Sequence, residues 1–158
     1  MSPSTPNLSL QKKSAARIMA VQCLYRQTMN GEEASPAEHI ATLKEQLSNN
    51  RDEQKLLIGS AIEPHYALAE TLLSGINERK DDIDKRLDGA LTKDWKRERM
   101  SPLLVAILQC AIYELFFGKE IAPRIVIDEY TRITRRFFAD AEVHFVHGAL
   151  SELAKKYG

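Results

Sequence analysis

The sequence has no surplus of charge, with 22 lysines and arginines against 22 aspartates and glutamates in 158 residues. A chain with that balance cannot coat nucleic acid with its whole surface, as histone-like proteins do, so any polyanion contact has to be local. Cysteine is scarce. Cys23 and Cys110 lie in unrelated apolar stretches without metal-ligand spacing, which excludes a disulfide scaffold and fits a reducing compartment. Glycine is sparse and isolated at Gly75, Gly89, Gly118 and Gly148, so no phosphate-cradling loop is present. No apolar run reaches a membrane span, and the polar, proline-bearing opening over residues 1–9 is the reverse of a signal peptide. A cytoplasmic chain with no membrane association and a disordered leader over residues 1–9 is expected. Long apolar–polar alternation is also missing, so strands have no signal.

What is present is a helical period throughout. Ala16, Met19, Ala20, Cys23 and Leu24 recur three and four apart, predicting a helix from about Ser9 to an Asn30-Gly31 stop. Ser35-Pro36-Ala37-Glu38 is a cap followed by a first-turn proline, opening a helix with Ile40, Leu43 and Leu47 inward. Residues 51–62 are amphipathic without a clear assignment. Pro64 opens the next helix, and a shorter piece carries Ile83, Leu87 and Leu91. Ser101-Pro102 repeats the cap-plus-proline start before the most apolar helix, which Gly118 stops. Pro123 and Asp140 begin the last two. The expected fold is all-α, a compact bundle of about seven helices, with residues 10–158 as a single domain built on one core or on two sub-bundles.

Catalytic chemistry finds little support. His144 and His147 are three apart with Glu142 close by, but no third and fourth ligand offers itself, so no metal is expected. Cys23 lies on the apolar stripe of its helix, where a core thiol is the ordinary outcome. Glu114 stands in the apolar helix as a buried acid in need of a cation, with Arg17 or Arg26 as candidates. No catalytic residue and no cofactor are expected.

Charge placement says more. The first 31 residues hold Lys12, Lys13, Arg17 and Arg26 and no acid, a local positive excess near a helix N-terminus, where unpaired N–H groups also favour phosphate. Arg132, Arg135 and Arg136, with Lys119 and Arg124 upstream, form a second cluster. It reads equally well as a solvated helix face. On the residues alone, the chain is a helical domain with a candidate nucleic-acid contact.

Four segments in order carry a resemblance. Ala16-Arg17-Ile18-Met19-Ala20-Val21-Gln22-Cys23-Leu24-Tyr25 resembles "A-R-x-x-A-x-Q-x-L-Y". Trp95, Arg99-Met100 and Ile107-Leu108-Gln109-Cys110-Ala111-Ile112-Tyr113-Glu114-Leu115 resemble "W…R-L…I-L-R-x-A-x-Y-E-L". Ile125-Val126-Ile127-Asp128-Glu129, ending at Arg135-Arg136-Phe137, resembles "V-x-I-N-E-A…K-x-F-G". Phe145-Val146-His147-Gly148-Ala149-Leu150 is similar to "F-V-N-G-V-L". These are patterns of the NusB family of transcription antitermination factors, and the similarity spans Ala15 to about Leu153. Gln109 stands where the pattern has arginine, Phe138 where it has glycine, and His147 where it has asparagine.

The resemblance implies a non-catalytic RNA-binding factor. It would bind the boxA element of ribosomal RNA leaders together with NusE, a small-subunit ribosomal protein, within the RNA polymerase antitermination complex. Lys12, Lys13 and Arg17 match the family's basic arm for phosphates, and Tyr25 and Phe145 are aromatic candidates for base contact. Leu104 and Val105, apolar where related chains carry charge, predict a protein interface, either for NusE or for a homodimer through a second copy. The alternative is a diverged helical dimerisation or interaction protein that has lost RNA binding.

Overall fold

The computed structural model describes residues 8–31, 35–58, 62–92, 94–118 and 121–157. Among them are eight α-helices: α1 (Leu8–Asn30), α2 (Pro36–Asn49), α3 (Arg51–Ile58), α4 (Tyr66–Glu78), α5 (Lys80–Ala90), α6 (Pro102–Phe117), α7 (Pro123–Phe137) and α8 (Asp140–Tyr157). A 3-10 turn over Arg97–Arg99 precedes α6. The all-α expectation holds, with one helix more than the sequence announced. The addition is α3, whose eight residues are too few to establish a period by pattern alone. Of the leader expected over residues 1–9, residues 1–7 lie outside the described residues, and Leu8 and Ser9 are the first residues of α1.

Local chemistry sets the boundaries. The Ser35 hydroxyl accepts from the Glu38 N–H at 3.2 Å, and the Ser101 hydroxyl accepts from the Leu103 N–H at 3.2 Å. Each serine thereby satisfies one of the donors that a helix start leaves free, and a proline follows where its missing N–H costs nothing. Asn50 does the same for α3, its side-chain oxygen accepting from Glu53 N–H at 3.1 Å. α4 starts at Tyr66 rather than at Pro64 because His65 is its cap: Nδ1 accepts from Leu68 N–H at 3.0 Å. α1 ends where Gly31 takes φ 62, the left-handed conformation that costs glycine nothing. Gly118 ends α6 for a different reason. Its backbone is extended, but a Cβ there would collide with the Glu114 carbonyl oxygen.

The chain divides into two compact units, Met1–Leu73 and Ser74–Gly158, with the division inside α4. In the first, α1 packs on α2 and α3, and α2 on α3. Its core holds Met19, Ala20, Leu24, Ile40, Leu43 and Leu47. In the second, α7 packs against α6 and α8, α6 against α5 and α8, and α5 against α8. Ile83, Leu87, Ile107, Tyr130, Val146 and Leu150 fill that core. α6 is buried on most of its circumference from Ala106 to Ile112, as a run that is apolar except for Gln109 requires.

Candidate nucleic-acid interface

The acid-free start of α1 is held in place by a loop. The His65 N–H donates to the Lys12 carbonyl oxygen at 3.0 Å, so the segment before α4 is pinned beside the first basic residue. Lys12 and Lys13 are half-buried, and among the described residues neither ammonium has an ion-pair partner. A long lysine stem covers apolar surface while its head stays in water, and that head is free to meet a phosphate. Arg17 is different: at 4% exposed it belongs to the interior, which corrects its place in the basic arm. One helical turn further in, the α1 surface is already closed, and residue spacing alone cannot show where that closure begins. Arg26 is also engaged, its guanidinium donating to Gln46 Oε1 of α2 at 3.1 Å. The cations of this helix without a hydrogen-bond or ion-pair partner among the described residues are therefore Lys12 and Lys13.

Tyr25 is half-buried, and among the described residues no aromatic or cationic group lies against its ring. Cys23, close by, is no nucleophile. Its thiol lies 4.0 Å from the His39 carbonyl oxygen and burial pushes its pKa up to about 11, an effect that Arg26 only partly opposes. A neutral thiol at ordinary pH is the inert form.

The second unit holds a stacked aromatic pair. Phe145 of α8 lies flat on Trp95, with ring centroids 4.2 Å apart and planes 13° from parallel. Both rings are half-buried. The sequence singles out Phe145 for base contact and Trp95 only as part of the family pattern; the pair is remote along the chain, and only the packing of the connector on α8 joins it. The connector is anchored two residues on. Arg97 reaches Asp84 at 3.1 Å and Asp88 at 3.6 Å, both on α5, and Asp84 also accepts from Gln109 Nε2 of α6 at 2.9 Å. The basic cluster of α7 stays together on one helix face: Arg132, Arg135 and Arg136 are exposed, Arg132 lies 3.9 Å from Glu129, and Arg136 faces the Phe137 ring at 5.7 Å. Lys119 lies outside the described residues. Leu104 is 1% exposed and therefore part of this chain's own core, which corrects its place at a partner interface, while Val105 beside it is half-buried. No helix among the described residues is long and apolar enough to cross a membrane.

The model of the NusB family matches residues 14–155. The chain belongs to the NusB family. It is similar to the transcription antitermination protein NusB of Maricaulis maris, with 33% identity over 157 residues, 98% of this chain and 91% of that one. Its identity to the protein of the same name from Sphingopyxis alaskensis is 32% over 155 residues, covering 94% and 96% of the two chains. Among solved structures it resembles one of the antitermination factors NusB and NusE in complex with dsRNA, with TM-score 0.70 and 25% identity. That match covers 91% of this chain and 96% of that one. The T. maritima NusB structure matches with TM-score 0.67, 25% identity and 90% of each chain.

One departure from the NusB-family pattern now has a physical account. Gln109, standing where the pattern has arginine, is buried and brings no charge to Asp84. Arg97 supplies it from the connector. The carboxylate keeps a cation, and the connector carrying Trp95 gains a tie to α5.

Proposed function

We propose that this chain is a non-catalytic, RNA-binding transcription antitermination factor. In this reading it binds boxA-type ribosomal RNA leader sequence together with NusE, works in the cytoplasm within the RNA polymerase antitermination complex, and supports ribosomal RNA transcription. The observation that carries it is the end-to-end likeness to antitermination proteins, one of them solved with NusE and dsRNA. The geometry agrees. Lys12 and Lys13 offer two cations for phosphates, without ion-pair partners among the described residues, and Tyr25 and Phe145 offer partly open rings for bases. A positively charged edge plus aromatic faces is the combination that holds flexible RNA. Burial pushes the Cys23 thiol up to about 11, which makes it a poor nucleophile.

The test is titration of labelled boxA-type RNA, single-stranded and as a duplex, with and without NusE and at several salt concentrations. With two or three phosphates neutralised, log K for the single strand should fall by roughly 1.5–2 per tenfold rise in salt. Loss of all binding even with NusE present would leave the diverged interaction protein as the better reading. The protein interface in this reading falls on the exposed part of α6 around Val105, facing NusE or a second copy. Sedimentation as a monomer, with NusE binding unchanged in Val105→Lys, would remove it.

A further inference from the structure

Gly75 of α4 has a neighbour that only glycine tolerates. A Cβ there would collide with the Tyr113 ring of α6, so Tyr113 lies on bare α4 backbone. From Tyr113 an aromatic strip continues to Phe117, with ring centroids 5.9 Å apart, and Phe116 stands beside Phe117 in the chain. All three rings are half-buried. Two guanidinium groups lie over this strip: Arg79 is 4.3 Å from the centre of the Phe117 ring, and Arg86 is 4.2 Å from that of Phe116. The two arginines are not equivalent. Arg86 donates through Nε to Asp82 Oδ1 at 3.0 Å. Arg79 is exposed, and among the described residues no carboxylate pairs with it. Stacking on a ring holds the planar group still and leaves its N–H edge open, the arrangement that takes a carboxylate through two parallel bonds. One uncompensated positive charge therefore adjoins partly open ring surface. A polyanion fits poorly there, because Glu78, Asp81 and Asp82 are exposed close by in the chain and would repel a row of phosphates. Aromatic rings and arginine at the centre, with mixed charge at the edge, are the make-up of a protein-binding patch.

We infer that Arg79, Tyr113, Phe116 and Phe117 form a docking surface for a partner-protein segment that sets an aspartate or glutamate beside an apolar side chain. The carboxylate pairs with Arg79, and the apolar group covers the open parts of the Tyr113 and Phe117 rings. Phe117 stands 12 residues after Val105, about 18 Å further along α6. The surface is thus separate from the one proposed around Val105, and both can be occupied together. The inference does not depend on the RNA-binding reading.

The test is a titration of the isotope-labelled full-length protein, followed by NMR, with two acetylated and amidated peptides, Glu-Asp-Leu-Phe and its uncharged counterpart Gln-Asn-Leu-Phe. The Arg79 Nε–H and the backbone amides of Gly75, Phe116 and Phe117 should shift with the acidic peptide and saturate by about 5 mM. The uncharged peptide, or Arg79→Gln in the protein, should weaken binding roughly 10-fold or more. Arg79→Lys keeps the charge without the planar edge and should recover only part of the affinity. Phe117→Leu should weaken binding roughly 3- to 10-fold. Arg79→Gln is exposed and should melt with the parent, so its loss of binding is not a loss of fold. Equal response to the two peptides, no saturation, or parental affinity in Arg79→Gln overturns the docking surface. So does a shift of these signals by boxA-type RNA and not by the acidic peptide, which assigns the surface to RNA. A dimer in sedimentation that Arg79→Glu dissociates assigns it to a second copy and overturns the proposal as well.

Discussion

In the proposed function the start of α1 and the Trp95–Phe145 pair meet one polymer in two ways. The first, in the unit Met1–Leu73, is two lysines without an ion-pair partner among the described residues; the second, in the unit Ser74–Gly158, is two rings lying 4.2 Å apart. Charge attracts the phosphate chain whatever its sequence and weakens as salt rises. Stacking depends on a base being unpaired and responds little to salt. The difference teaches that, in this reading, affinity and discrimination are separable, because no residue is assigned to both. It also orders the experiments by which the comparison can be broken.

The largest effect should come from Arg17, and on stability rather than on RNA. A buried charge that has a partner cannot be removed without leaving that partner uncompensated, so Arg17→Ala should cost about 3–5 kcal/mol in urea unfolding. Lys12→Ala and Lys13→Ala, by contrast, should stay within about 0.5 kcal/mol of the parent. If Arg17→Ala unfolds at the parental midpoint but loses RNA affinity, the basic arm extends inward and the assignment of charge along α1 is wrong.

Cys23 separates the two regions by pH. Its thiol, raised from 9.0 to about 11 by burial, stays protonated in the folded chain while the unfolded thiol ionises. The native state then binds more protons than the unfolded one, so stability is complete below pH 9.0 and falls as pH rises toward about 11. The loss should approach about 2–3 kcal/mol and be absent in Cys23→Ala. Alkaline melts that superimpose for the two proteins would show that the thiol is not shielded. In the second unit Gly118→Ala should cost about 1–3 kcal/mol, since the new methyl group meets the Glu114 carbonyl oxygen and not a movable side chain.

The charge proposed to face RNA comes next. Lys12→Gln with Lys13→Gln should weaken single-strand binding roughly 10- to 30-fold near 0.1 M salt and reduce the salt slope by about 1.4. Phe145→Ala should leave that slope alone. A slope unchanged in the double lysine variant would place the phosphate contacts elsewhere, with the exposed arginines of α7 as the nearest alternative.

These experiments also mark what could be read from the chain. Ser35-Pro36, Ser101-Pro102 and Asn30-Gly31 announced their helix ends because caps and left-handed stops act locally. The lysines at 12 and 13 were legible because no acid stands near them in sequence. Burial was not legible at Arg17 or Leu104, since a helix pattern gives a direction but not how far the covering extends. Trp95 was missed as a site residue because its significance comes from α8, and the acceptor role of His65 at the start of α4 was hidden behind Pro64. Interactions within one turn of helix can be read from spacing; those joining distant segments need the fold.

The smallest effect tests how the stacking region is held. Asp84 accepts from both Arg97 and Gln109, with its side chain 22% and that of Arg97 33% exposed. Asp84→Asn keeps an oxygen for Gln109 and removes the charge that holds Arg97. For a pair this open to solvent the loss of stability should be only about 0.5–1 kcal/mol. The informative change is in Trp95, which should become more mobile on Phe145, with lower emission anisotropy and easier quenching by acrylamide. If Asp84→Asn leaves both signals at parental values, the connector is held by the ring contact alone, and the charge that Gln109 lacks is not what Arg97 is there to replace.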